Sequence, residues 1–255
     1  STQSRSSAAS DVYKRQLILA IGEGAHLSDA KTVALELLGA LVFFILLLRR
    51  QKGHAAPMLP VDLFRRPLFT LSALTAVCTF ATQSLAFVSL PFYFESVLGR
   101  SAIETGFLIT PWAVLVGIMA PIAGRLSDHY PPGLLGGIGL SVLSAGMVSL
   151  ILMSPDVSVF GICWRMAVCG IGFGFFQAPN LRAIMSSAPP ERGGSASGVV
   201  ATSRLLGQAS GAALVAFCFI ISTQHGETLA LGLGAVFAAI ASIASFMRLF
   251  VQQTK

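Results

Sequence analysis

Seven side chains with chemical potential lie inside long apolar runs of this 255-residue chain. Arg165 stands about two turns into its run from one end, and Arg204 about two and a half turns into another from the opposite end. Gln83 is near the middle of its run, Gln177 and Asn180 lie towards the end of theirs, and Gln208 is deep. A guanidinium at such depth in hydrocarbon costs on the order of 3 kcal/mol or more, so it snorkels to the interface, meets a partner or faces a cavity. The amides either line a polar cavity or bond between helices. With Trp112 these residues are the candidates for holding a small hydrophobic or cationic solute. Phe80, Phe87, Trp112 and Phe176 offer stacking and cation–π surfaces, or else they face lipid.

The acids are informative by position. Glu95 and Glu104 sit at one rim of the runs, Asp128 and Glu191 at the other, and Glu36 is shallow in the first run. None lies mid-run in the last six. A proton-driven carrier needs a titratable group with alternating exposure, so that group is expected outside this sequence. No paired aspartates, Ser–His pair or His-rich cluster converges at depth, so the chain is not expected to be an enzyme. Cys78, Cys163, Cys169 and Cys218 all fall within apolar runs and read as small packing residues. Neither a cofactor nor a metal nor a nucleic-acid partner is expected.

The elements that must position these residues are the runs themselves: 33–48, 68–94, 106–124, 134–153, 159–181, 195–222 and 228–250. A full run of about 20 residues is roughly 30 Å long as a helix, the thickness of the hydrocarbon core. Apolar residues make up 54% of the chain and charged residues 11%. A soluble globule has no interior for seven such helices. In lipid every backbone N–H and C=O must be paired internally, which leaves helices or closed barrels. Runs apolar on all sides lack the alternation of barrel strands. The expected fold is therefore all-α, a polytopic helical bundle in a lipid bilayer.

Ser1–Gln16 is Ser-rich and has no signal-peptide core. It resembles a translated sequencing scar and is set aside as disordered. Residues 17–66 are expected to hold the stub of one span (Leu17–Ile21), one further span and a linker. Residues 67–251 form the six-helix domain, and 252–255 a tail. Basic residues set the orientation. Arg49, Arg50, Lys52, Arg65, Arg66, Arg125, Arg182, Arg192, Arg248 and Lys255 fall on one side, against Lys31 and Arg100 on the other. The C-terminus is expected to be cytoplasmic, in a plasma or bacterial inner membrane.

Gly194, Gly198, Gly207 and Gly211 form two small-xxx-small pairs in one run. Gly170, Gly172 and Gly174 cluster in another, and Gly117 and Gly124 flank Pro121 in a third. Such residues let helices approach closely in lipid, where hydrophobicity gives little drive to associate. Pro91, Pro111, Pro121 and Pro179 are candidate bend points.

The junction Gly124-Arg125-Leu126-Ser127-Asp128 resembles the inner-loop motif of the major facilitator superfamily, with Tyr130-Pro-Pro in place of its usual Gly and basic residues. The segments Pro57–Arg65 and Pro189–Gln208 are similar to the superfamily's fourteen-helix drug/proton antiporter branch. The likeness covers roughly residues 17–250. It implies a C-terminal six-helix domain of two three-helix repeats, preceded by one extra helix, with an N-terminal half of the same transporter as partner. It further implies proton-coupled multidrug efflux by alternating access; an uptake permease for a metabolite and a non-transporting structural subunit stand as alternatives. By that resemblance Gly124, Arg125, Asp128 and Arg182 form an inner gating motif, in which Asp128 pairs with Arg182 as a latch.

Overall fold

The computed structural model describes residues 63–154, 156–222 and 225–253, all within the unit Pro60–Lys255. The expectations for residues 1–16, the stub near 17–21, the run 33–48 and the basic residues Arg49, Arg50 and Lys52 lie outside the described residues.

After a 3-10 turn at Leu63–Arg65, six helices follow: α1 (Pro67–Phe92), α2 (Ala102–Leu126), α3 (Pro132–Ile151), α4 (Val159–Ser187), α5 (Gly193–Ile221) and α6 (Gly226–Gln253). A π turn at Tyr93–Val97 extends α1. All six are long and apolar enough to cross a bilayer, and the described residues contain no strand. The helices begin where the sequence allows. Pro67 and Pro132 occupy first-turn positions, where a missing N–H costs nothing. Ser101 and Glu104 close a capping box at α2, and Ser158 Oγ accepts from Gly161 N at the start of α4. Gly99, at φ 64°, makes the turn into α2. Helix α4 runs six residues past its apolar run, because interfacial residues still satisfy their backbone best inside the helix. All four internal prolines lie within continuous helices.

The packing has an internal two-fold pattern. Helix α1 packs on α5 and α6, α4 packs on α2 and α3, and α3 meets α6. Exchanging α1–α2–α3 with α4–α5–α6 reproduces every one of these pairs, as two three-helix repeats require. The exchange leaves α2 and α5 at the two flanks, α2 held chiefly by α4, and α5 chiefly by α1 with smaller contacts to α6 and α4.

Small residues make the close approaches. A methyl group on Gly172 would overlap the backbone of Leu143 in α3, and one on Gly170 would overlap that of Trp112 in α2. On Gly207 and Gly211 it would stand 2.5 Å and 2.6 Å from the carbonyls of Val77 and Ala81 in α1. Hydroxyls supply the rest. Thr82 Oγ1 donates to Gly234 O at 3.0 Å, Ser84 Oγ to Gln208 O at 2.8 Å, and Ser242 Oγ to Gly137 O at 3.0 Å. Between helices in lipid such bonds contribute about 0.6 kcal/mol each.

Candidate functional site

The last two turns of α4 carry three separate attachments at the arginine-rich end of the bundle. First, Asn180 is buried and joins α1 to α6. Its Nδ2 donates to Ser72 O at 3.3 Å, and its Oδ1 accepts from Arg248 Nη1 at 2.7 Å. Second, Arg182 pairs with Asp128 Oδ1 and donates to Ser127 Oγ at 3.0 Å, so α4 is tied to the turn after α2. Third, Ser187 O accepts from Arg66 Nη1 at 2.8 Å, tying the end of α4 to the start of α1.

The first two of these arginine attachments differ in setting. Arg182 and Asp128 are 48% and 53% exposed. Arg248 is fully buried. Its Nη1 also donates to Ser72 Oγ at 3.1 Å, its Nη2 to Ser245 Oγ, and its Nε to Ser245 O at 3.4 Å. All these partners are neutral. Gly136 gives the guanidinium its room, since a methyl there would lie 2.9 Å from Nη2.

The sequence-predicted cavity residues do not converge. Trp112 is in the core at 1% exposure, edge-on to Phe87 with ring centroids 5.1 Å apart and 6.3 Å from Phe173. The close approach of α4 at Gly170 seals it there. Phe80 and Phe176 are buried in the same cluster. Arg165 is half-buried and bound to backbone: Nε to Ser149 O at 2.9 Å and Nη1 to Gly161 O at 2.6 Å, with its guanidinium 4.5 Å from the Trp164 ring. It thereby supplies a cation to the C-terminal turn of α3. Gln83, Gln177 and Gln208 are half-buried, and Arg204 is exposed on α5 with its guanidinium 5.7 Å from the Phe80 ring. Among the described residues no group of His, Cys, Asp and Glu is arranged to hold a metal. Gly124 makes only ordinary contact with Ala178, and Arg125 is exposed.

The sequence profile of the Major Facilitator Superfamily matches residues 32–212. The chain belongs to that superfamily. It is 47% identical over 233 residues to the uncharacterised transporter YebQ of Escherichia coli K12, covering 91% of this chain and 51% of the relative. The riboflavin transporter RibZ of Clostridioides difficile is 28% identical over 74% of this chain and 41% of the relative. The multidrug resistance protein Stp of Mycobacterium tuberculosis is 27% identical over 78% of this chain and 37% of the relative. The chain thus spans about half the length of the curated relatives it matches. YebQ and RibZ are named as transporters, and membership of this superfamily agrees with the expectation of no enzymatic chemistry.

One feature of this superfamily member escaped the sequence. Arg248 was expected among the basic residues that face one side of the membrane; the structure instead folds it into the bundle, because four neutral acceptors and two glycines of α3 make a cavity for it. The spacing Ser242-x-x-Ser245-x-x-Arg248 opposite Gly133-x-x-Gly136 was the available signal. The charges of the described residues segregate by bundle end, as their positions between the apolar runs implied. Between 63 and 253 the end with the chain's 3-10 turn carries Arg65, Arg66, Arg125, Arg182, Arg192 and Arg248 against Asp128 and Glu191. The opposite end carries Glu95, Glu104, Asp156 and Glu227 against Arg100 and Arg165.

Proposed function

We propose that this chain is the C-terminal six-helix lobe, with one preceding inserted helix, of a fourteen-helix proton-coupled multidrug efflux carrier. The observation that carries the reading is the pair of open flanks. Along α2 and α5 the glycines Gly106, Gly117, Gly194 and Gly198 have nothing within 4 Å, whereas in α3 and α4 every described glycine meets a neighbour; Gly232 of α6 is open as well. A second lobe packed on α2 and α5 would close both faces and leave the substrate path between lobes, the arrangement alternating access needs. Arg204 and Gln208 of α5 then face that path, and the Asp128–Arg182 pair at the rim acts as a breakable latch. Half-exposed pairs contribute at most about 1 kcal/mol, weak enough to open in each cycle. The excess of arginine at one end supports a cytoplasmic C-terminus. The acid that takes the proton belongs to the other lobe in this reading.

A second reading, a carrier for a metabolite, is favoured by the likeness to a riboflavin transporter. Co-expression with a separate segment corresponding to the rest of YebQ in an efflux-deficient strain separates them. The efflux reading expects lower accumulation of a cationic dye, reversed by a protonophore. Unchanged dye with faster uptake of labelled riboflavin would reject efflux in favour of the second.

A further inference from the structure

A cavity of about 500 Å³ opens at the arginine-rich end between the start of α1, the end of α4 and the end of α6. Its lining is Arg65, Arg66, Pro67, Leu68, Ser186, Ser187 and Val251. The volume lies within the roughly 300–1,000 Å³ of small-molecule sites. Among the described residues two cations and no acid line it, with an apolar floor of Leu68 and Val251.

The segment that presents the cations is built in place. Leu63 is buried in a cluster with Phe69, Ala73 and Ile184. Thr70 Oγ1 donates to Phe64 O at 2.6 Å, and the Phe64 ring sits edge-on to Phe69 at 5.3 Å. Arg66 N bonds back to Leu63 O at 3.0 Å, and its guanidinium is steadied by Ser187 O. Helix α1 starts at the cavity with Arg66 as its N-cap and no side-chain cap, so the positive end of its dipole is left to an outside acceptor. The arginines immediately precede a membrane-spanning helix, so they stand at headgroup depth, and Phe64 is 45% exposed beside them.

We propose that this cavity binds the phosphodiester headgroup of an acidic membrane lipid, with Arg65 and Arg66 on the phosphate and an acyl chain leaving over Leu68 and Val251. Two guanidiniums, that of Arg66 held by Ser187 O and that of Arg65 free to turn towards it, match the charge and the oxygen pattern of a phosphate. The apolar floor distinguishes a lipid from a free anion. Basic pockets between spans at the membrane face bind lipid headgroups by this combination. The site is independent of any transported solute.

The test uses the whole chain in phosphatidylcholine nanodiscs, titrated with short-chain phosphatidylglycerol, with binding read by thermal shift. Phosphatidylglycerol is expected to raise the melting temperature, while short-chain phosphatidylcholine does not and inorganic phosphate does so only at far higher concentration. Each of Arg65→Gln and Arg66→Gln is expected to weaken phosphatidylglycerol about fivefold. Arg65→Gln breaks no hydrogen bond given above for its segment, so it keeps the test valid if Arg66→Gln unfolds. Arg125→Gln, an exposed cation of the same end outside the cavity, should leave affinity unchanged. Equal losses for Arg125→Gln and Arg65→Gln would reduce the effect to diffuse surface charge and overturn the site. Phosphate matching the lipid would overturn the lipid assignment.

Discussion

Arg248, through Asn180, and Arg182 itself fasten one and the same turn of α4, yet they use opposite physics. Arg182 meets a carboxylate in the open, where water and salt screen the attraction and free side chains resist being fixed. Arg248 meets no carboxylate, is fully buried, and is satisfied by one amide, two hydroxyls and a carbonyl. A buried cation without a counter-charge survives only if nearly every N–H has an acceptor. The first contact costs little to open; the second fixes α4 to α1 and α6. In the proposed carrier, a lobe that rocks as a unit needs both: rigid joints inside and weak ones at its rim.

The largest effect should come from breaking the buried joint on its neutral side. Asn180→Leu strips an acceptor from a buried guanidinium and should cost roughly 3 kcal/mol, read as thermal unfolding in detergent. Arg248→Met should cost less. It removes the charge along with its needs, and Ser72 and Ser245 keep their bonds to Leu68 O and Gly133 O. If Arg248→Met is the more damaging of the two, the joint is electrostatic and the contrast with Arg182 fails.

Glycines sharpen the same contrast between joints that are closed and faces that are open. Gly207→Leu drives a side chain into the α1 backbone and should destabilise by about 1–3 kcal/mol or prevent insertion. Gly198→Leu, in the same helix with open space beside it, should leave the stability of this chain unchanged. If α5 faces a second lobe, Gly198→Leu should still block co-assembly with it, measured by co-purification. Loss of stability in Gly198→Leu alone would mean that the face is already packed.

The rim pair should respond weakly but distinctively. Asp128→Asn is expected to lower stability by about 1 kcal/mol or less, and the difference should vanish in high salt. Transport by the assembled carrier should fall by more than stability does, because a latch matters at the barrier between states. Wild-type turnover would reject the latch.

These contrasts mark what the sequence can and cannot disclose. The six described spans were legible from apolar length alone, since lipid leaves the backbone no alternative to helix. The Asp128 and Arg182 pairing was reachable because a family motif places both at one rim. Burial direction was not legible: helices apolar all round carry no periodicity that separates core from lipid, which is why Trp112 was assigned to a cavity. Gly194/Gly198 and Gly207/Gly211 share one spacing but face different surroundings. Arg248 was grouped with the interfacial basic residues because it lies near the C-terminus, while the acceptors that bury it come from two distant segments, at Ser72 and Asn180, as well as from Ser245 one turn before it.

Trp112 offers the finest test. Its indole Nε1 is buried with no hydrogen-bond partner among the described residues. Trp112→Phe removes that unmet donor, a gain, and leaves a smaller ring against Phe87 and Phe173, a loss; the two should nearly cancel, to within about 1 kcal/mol. The useful reading is then functional. If the donor is idle in every state, the assembled carrier with Phe at 112 transports normally. If α2 shifts against α4 during the cycle, the indole can gain an acceptor in the other state, and transport falls while the melting temperature stays. That outcome would move Trp112 from the fixed side of the comparison to the moving side.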